Sequence, residues 1–469
     1  MRPFDRPAVQ GRVERFRERY QVPGMAVGLA REGHPLLLEG FGWRNREAGL
    51  PVTPETVFGV ASVTKSVTAL AVMLLQEAGR LSVEDPVIRW LPEFRGPNPD
   101  WVRAMTIHHF LTHTSGLPGM QALFHARAAS IARDPNRHRL GVVADPAAIR
   151  QIQTYQELMA LMAETEYELL GPPGAWFNYS NEAYALLQGV IERAADRPFL
   201  EYMQEMVLKP LGMERSAFTT AELERLEPVT ELYAPRVVEG RLEPFHAPGW
   251  WDVGAIYTNG SLKSTVPDLL RYLEIYRTGG RLGEVRLLSE ASIRRMLTPH
   301  ATTPTGRHYG YGLQVTPGYH GVTLVGHSGS IKGVSAHILL APEAGVTAAV
   351  LCNMNGLTLE PLAMGLVNSA LGLDWEVPRR EYPPHPVEPE ALPAYVGAYR
   401  NREGESARVE LGEQGLVIWS GGLPYTARPI GPDGFLLEEP GSPVQFLRDE
   451  AGAVFALFIG SRLLPRERP

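Results

Sequence analysis

Six prolines crowd into one short stretch, at positions 378, 383, 384, 386, 389 and 393. This stretch constrains the fold more than any other feature of the chain. Each proline fixes φ at about −65° and removes a backbone donor, so such a run resists both helix and sheet and reads as a stiff linker. The chain should therefore divide into a large unit, residues 1–377, a linker, 378–393, and a small unit, 394–469. With 469 residues, 44% hydrophobic and 21% charged, there is apolar material for more than one core.

Charge narrows the partners. A net charge of −7 arises from mixed signs without a long run of either, which argues against nucleic acid and against an anionic membrane surface. The expected partner is a small molecule, with a homo-oligomer left open. The first residues, Met1 to Pro7, contain no apolar run of signal-peptide length, and no stretch reaches about 18 consecutive apolar residues. A cytoplasmic location is the expectation.

Patterning in the large unit is mixed. Met25 to Ala30 and Leu36 to Leu38, joined by Arg31-Glu32-Gly33, read as a β-hairpin. Val67, Leu70, Ala71 and Leu74 fall at i, i+3, i+4 and i+7 ahead of Gly79, which predicts a helix over 62–78 with Ser62 at its N-terminus. Further helices are expected over Tyr155–Met162, Glu182–Arg193 and Asp268–Arg277, the last capped by Thr265 with Asp268 three residues on. Arg127 to Gln153 lacks clear apolar periodicity and reads as an inserted lid. Strands are expected at Thr323–Val325, Ala336–Leu340 and Thr347–Cys352, so both ends of this unit supply the sheet. The lone cysteine, Cys352, lies in such a strand and reads as structural. In the small unit, Val409–Leu411, Leu416–Trp419, Phe435–Leu437 and Phe455–Phe458 alternate with glycine turns and predict a small antiparallel β domain.

Three short motifs carry the chemistry. Lys65 follows Ser62 by three residues, one helical turn, so its amine would point back at the hydroxyl and could accept its proton. An arginine could not do this, and only Lys65, Lys209, Lys263 and Lys332 are lysines among 45 basic residues. One Ser-x-x-Lys is weak evidence by itself. Tyr179-Ser180-Asn181 follows the turn Gly171-Pro172-Pro173-Gly174 and precedes a helix. A tyrosine near a lysine can shuttle a proton, and an asparagine amide can hold a carbonyl. His327-Ser328-Gly329-Ser330 follows the strand ending at Val325, where a glycine would let a substrate backbone come close and the next N–H could serve as an oxyanion donor.

Together, Ser62-x-x-Lys65, Tyr179-x-Asn181 and His327-x-Gly329 resemble, in order and setting, the three motifs of the penicillin-binding-protein and β-lactamase-like serine hydrolases. Leu111-Thr112-His113-Thr114-Ser115-Gly116-Leu117, Gly79 to Val87 and Gly260 to Thr265 also resemble that family, across roughly residues 10 to 372. The resemblance implies an α/β (α+β) fold: an antiparallel sheet flanked by helices, a helical subdomain, and the motifs meeting in a cleft. It implies Ser62 as nucleophile, Lys65 and Tyr179 as proton carriers, the backbone N–H groups of Ser62 and Ser330 as oxyanion hole, and Asn181, His327 and Gly329 as substrate contacts. No cofactor or metal is implied. His327 stands where β-lactamases usually have lysine, a form similar to the family's esterases and D-aminopeptidases. The C-terminal unit is similar in position to a lipocalin-like module, although its span is short for a full barrel.

The expected activity is hydrolysis of a small ester, amide or short peptide through an acyl-enzyme. β-Lactamase or D-alanyl-D-alanine carboxypeptidase activity is the alternative, and a non-catalytic acyl-ligand sensor is the alternative of another class. An α/β-hydrolase would need Gly-x-Ser-x-Gly, which Gly326 to Ser330 lacks at its last position. A zinc hydrolase using His109 and His113 would need glutamate where Phe110 stands, so His108, His109 and His113 read as packing and hydrogen-bonding residues.

Overall fold

The computed structural model describes residues 4–467 except 143–144, 146–147, 239–240, 255, 414 and 439–440. Helix α1 (Arg6–Arg19) leads into the predicted hairpin, β1 (Gly24–Arg31) and β2 (His34–Asn45). Later in the chain come α2 (Thr64–Glu77), α3 (Asn181–Ala195) and α4 (Val266–Arg277). Strands β3 (Gln314–Tyr319), β4 (Val322–Ile331), β5 (Val334–Ala341) and β6 (Val346–Cys352) then precede helix α5 (Glu360–Leu371).

These strands join one antiparallel sheet of nine strands among the described residues, in the spatial order 301–302, 308–309, β3, β4, β5, β6, β1, β2, 50–51. β6 pairs with β1, Met25 opposite Cys352, so the two ends of the large unit meet at mid-sheet. Alternate residues serve opposite faces. Ala26, Ile338, Leu340 and Ala349 pack against α2, α3 and α4, while Val27, Leu29, Leu339 and Val350 pack against α1 and α5. Burial on both faces explains why these strands read as continuous apolar runs. Cys352 is a buried free thiol.

Three expectations need correction. β4 does not stop at Val325 but runs to Ile331, carrying His327 to Ser330 inside the strand. The segment 127–153 begins as helix, within Ala122–Arg133, whose inner face is made of Ala122, Ala126, Ala128 and Ile131, side chains small enough to hide a periodic signal. Residues 143–144 and 146–147 of that segment lie outside the described residues. Thr265 does cap α4 by accepting from the Asp268 N–H, but the Asp268 carboxylate accepts from Ser216 and the Arg215 N–H instead of completing a box.

The C-terminal unit is a nearly closed barrel of eight strands, each paired with its neighbour in sequence. Tyr399 on the first strand bridges Arg466 beyond the last, and the Glu467 N–H donates to the Ala398 carbonyl at 2.8 Å, bringing the edges together. About 70 residues suffice because the strands are short, from Gly397–Arg400 at 4 residues to Leu423–Gly431 at 9. Tyr395, Tyr399, Phe435, Phe446 and Leu457 fill its interior. Among the described residues, no helix is long and apolar enough to cross a membrane.

Candidate active site

Ser62 sits in a single 3-10 turn, Ala61–Val63, that feeds directly into α2. Ala61 before it takes a left-handed φ of 46°, a conformation that costs a non-glycine residue roughly 1 kcal/mol and lifts the serine out of the helix line. One turn on, the Lys65 Nζ donates to Ser62 Oγ at 3.2 Å and to the Asn259 carbonyl at 2.9 Å. Lys65 is fully buried. Burial, and after it the Arg462 guanidinium, holds its pKa well below the usual lysine range, against opposing pulls from Glu403 and Glu182. The neutral amine, a base, is therefore favoured.

Ser180 caps α3 by accepting from the Ala183 N–H at 3.1 Å, which fixes Tyr179 and Asn181 on either side of the cap. The Ser180 N–H donates to His113 Nδ1 at 3.0 Å, and the His113 ring stacks on Tyr179 with centroids 4.1 Å apart. Burial keeps His113 neutral, so its proton lies on Nε2. The Tyr179 hydroxyl is buried and lies beside Ser62 without a hydrogen bond of normal geometry. Burial raises its pKa above the usual phenol value, with Ser62 and Arg462 pulling the other way. His108 and His109 bond elsewhere, to Tyr311 and Thr106, in keeping with their structural reading.

His327, Gly329 and Ser330 approach from β4. β3 pairs with β4 only as far as Gly326, so residues 327–331 present an edge with no strand partner among the described residues. A side chain at Gly329 would meet the Val60 carbonyl oxygen at 2.3 Å and the Ser62 nitrogen at 2.8 Å, so glycine is what lets this strand lie against the backbone at Ser62. His327 is buried. Its Nδ1 lies 2.6 Å from the Ser328 carbonyl and its Nε2 3.0 Å from the Tyr309 hydroxyl. Burial first, and then Lys65, lowers its pKa to about 3, so the ring is neutral.

A cavity of about 450 Å³ opens on these groups, lined at the chemical end by Ser62, Tyr179, His327, Gly329 and Ser330. It is also walled by Arg307, by His337 of β5, which pairs opposite Ser328, and by Glu360. Burial alone would raise the Glu360 pKa, but Arg379 and Arg307 bring it down to about 2. Asn181 does not line this cavity. Its Nδ2 donates to Glu403 Oε1 at 3.2 Å, and Glu403 in turn pairs with Arg462. Both partners come from the C-terminal barrel, and the Arg462 guanidinium lies 4.5 Å from the centre of the Tyr179 ring. Sequence reasoning missed Glu403, Arg462 and Asn259. Only Asn259 had a nearby signal, in the Gly260 to Thr265 phrase.

The β-lactamase family model matches residues 9–367. The chain is 39% identical over 211 residues to esterase EstB of Burkholderia gladioli, covering 45% of this chain but only 50% of the esterase. It is 26% identical to a D-aminopeptidase of Gluconobacter oxydans, covering 84% of this chain and 66% of that one. An octameric penicillin-binding-protein homologue from Pyrococcus abyssi matches in structure with a TM-score of 0.69, 28% identity and 99% coverage of both chains. With Ser62, buried Lys65, Tyr179 and the β4 edge brought together, and the family model covering residues 9–367, the chain belongs to the β-lactamase family of serine hydrolases.

Proposed function

We propose that this protein hydrolyses small ester or amide and short peptide substrates through an acyl-enzyme on Ser62, as an esterase or a D-aminopeptidase-type enzyme. The observation that carries the reading is the 3.2 Å contact between Ser62 Oγ and a Lys65 amine buried from water. Ser62 Oγ attacks the substrate carbonyl while its proton passes to Lys65. The oxyanion forms against the backbone N–H groups of Ser62 and Ser330, which the Gly329 approach brings together. As the tetrahedral species collapses, a proton reaches the leaving group through Tyr179, which Lys65 replenishes. Water then repeats the sequence on the acyl-enzyme with Lys65 and Tyr179 again as base and acid.

Asn181 acts in this scheme by holding the cleft wall through Glu403. His327, neutral and bonded to Tyr309, offers no fixed cation for a substrate carboxylate, which counts against β-lactams. The esterase and D-aminopeptidase relatives support the same substrate classes, and the octameric homologue supports a homo-oligomer, which light scattering on the eluted protein would measure.

Intact-mass spectrometry of wild type and Ser62→Ala after incubation with p-nitrophenyl esters, D-amino-acid amides and nitrocefin tests the proposal. A serine-dependent acyl adduct or turnover is expected with the first two classes, and Tyr179→Phe should slow it by about 10² to 10⁴. Labelling of the alanine variant, or silence of folded wild type across the panel, would sink it.

A further inference from the structure

We infer that Arg462, carried into the cleft by the C-terminal barrel and clamped there by Glu403, is a positioning residue that governs how readily the Lys65–Tyr179 pair gives up a proton. The inference rests on Ser62 being the nucleophile. The turn joining the last two barrel strands, Val454–Ile459 and Arg462–Pro465, reaches into the site. It is pinned on both sides of Arg462: the Tyr179 N–H donates to the Ser461 carbonyl at 3.0 Å, and the Leu463 N–H donates to Asn178 Oδ1 at 2.9 Å. Asn178, through its side-chain oxygen, and Tyr179, through its main-chain N–H, are thus tied to the barrel just ahead of the Ser180 cap.

This leaves the guanidinium little freedom. Its side chain is only 11% exposed, its Nε faces Glu403, and Glu403 uses its other oxygen to accept from Asn181. The Tyr179 ring therefore has two cationic or potentially cationic groups over it, Arg462 at 4.5 Å and Lys65 at 4.9 Å from its centre. Buried as these groups are, such charges act strongly on one another. A fixed cation there favours every state in which the pair holds one proton fewer, and the Glu403 carboxylate opposes it. The buried groups respond accordingly: beyond the dominant effect of burial, Arg462 lowers and Glu403 raises the pKa of both Lys65 and Tyr179. The other ionisable groups around the pair and Arg462 are Glu405 from the barrel, which acts on Arg462, Arg127 and Glu182 from the helical side, neutral His113 and His327, and the phenols Tyr184 and Tyr309. The barrel thus supplies one opposed pair of charges, Arg462 and Glu403, and the helical side a second, Arg127 and Glu182.

The test measures the rate at which a fluorophosphonate labels Ser62 across pH 5 to 10, a step in which Ser62 Oγ bonds phosphorus, fluoride leaves and the serine proton passes to the Lys65 base. Ser62→Ala is the blank. Removing the cation in Arg462→Met should make Lys65 easier to protonate and move the acid limb of the profile to higher pH, by about one unit. Glu403→Gln leaves the cation unopposed and should move the limb to lower pH, while Arg462→Lys should hold it near the wild-type position. A cover that merely keeps the barrel docked would move both charge-removing variants the same way or neither, and either result overturns the inference. If Arg462→Met does not fold, the downward shift of Glu403→Gln with an unmoved Arg462→Lys decides the matter. Folded wild type that takes no label fails at Ser62 itself, a separate outcome that removes the nucleophile on which the inference stands.

Discussion

Gly329→Ala isolates a single contact between the sheet and the backbone at Ser62. The added methyl would sit 2.3 Å from the Val60 oxygen and 2.8 Å from the Ser62 nitrogen, where ordinary contact begins at 3.4 Å. Both obstacles are backbone, so neither can swing aside, and β4 must retreat by about an ångström. Overpacking of this kind costs about 1–3 kcal/mol of stability. The larger effect should be on rate. A retreat of that size carries the Ser330 N–H away from the oxyanion, and loss of one such donor costs about 10² to 10³ in kcat. Steady-state hydrolysis of p-nitrophenyl acetate, with a thermal melt on the same sample, reads both quantities. We expect kcat to fall at least a hundredfold while the melt shows a folded protein. A variant with wild-type kcat would refute the close approach of β4 to Ser62 and, with it, the Ser330 contribution to the oxyanion hole.

Three further outcomes follow from burial and charge. Lys65 has a folded pKa below its unfolded value of about 10.5, so the unfolded chain binds more protons and folding stability falls as pH drops from that value towards the folded pKa; Lys65→Met should abolish labelling yet gain in melting temperature over wild type, the gain growing through that window and then levelling off in a pH series of thermal melts. The buried imidazoles of His327 and His337, with pKa values lowered to about 3 and about 4, should cost stability on acidification below about pH 6.5, and His337→Leu should flatten that loss in a pH series of urea midpoints. Lys332 and Asp134 form a buried ion pair, so either single alanine substitution should cost about 3–5 kcal/mol, with the double variant losing clearly less than the two singles added together in denaturant titration.

How far the chain could be read depended on the range of the interaction. Ser62 and Lys65 were legible because i and i+3 on a helix fix their contact locally, and Tyr179 because a Gly-Pro turn and a capping serine mark its place. The extent of β4 was not. Gly326, His327, Ser328 and Gly329 are poor strand formers, so local preference ends the strand at Val325; pairing with β5, where Gly329 opposes Ala336, carries it on. Four barrel strands were also missed. Three of them contain prolines, Pro424 and Pro429 in Leu423–Gly431, Pro443 in Ser442–Arg448 and Pro465 in Arg462–Pro465, which argue against a strand until a closing barrel supplies partners. Glu403 and Arg462 left no trace at all, since one arginine among so many has meaning only once the barrel has folded against Tyr179.

The lysines show how composition can still point at chemistry when spacing cannot. In a chain that uses arginine almost everywhere, Lys65, Lys263 and Lys332 are buried. Each sits where a planar guanidinium would fail. Lys332 gives its Nζ to Asp134 and to the carbonyls of Pro248 and Gly249, three acceptors converging on one point, which suits a compact ammonium and not a rigid fork. Lys263 Nζ donates to the Phe218 carbonyl at 2.9 Å, and burial lowers its pKa to about 8. Lys65 can do what no arginine can: burial beside Ser62 holds its pKa well below the usual lysine range, where the proposed mechanism needs a base. The scarcity of lysine is therefore a map of where this fold holds a compact amine.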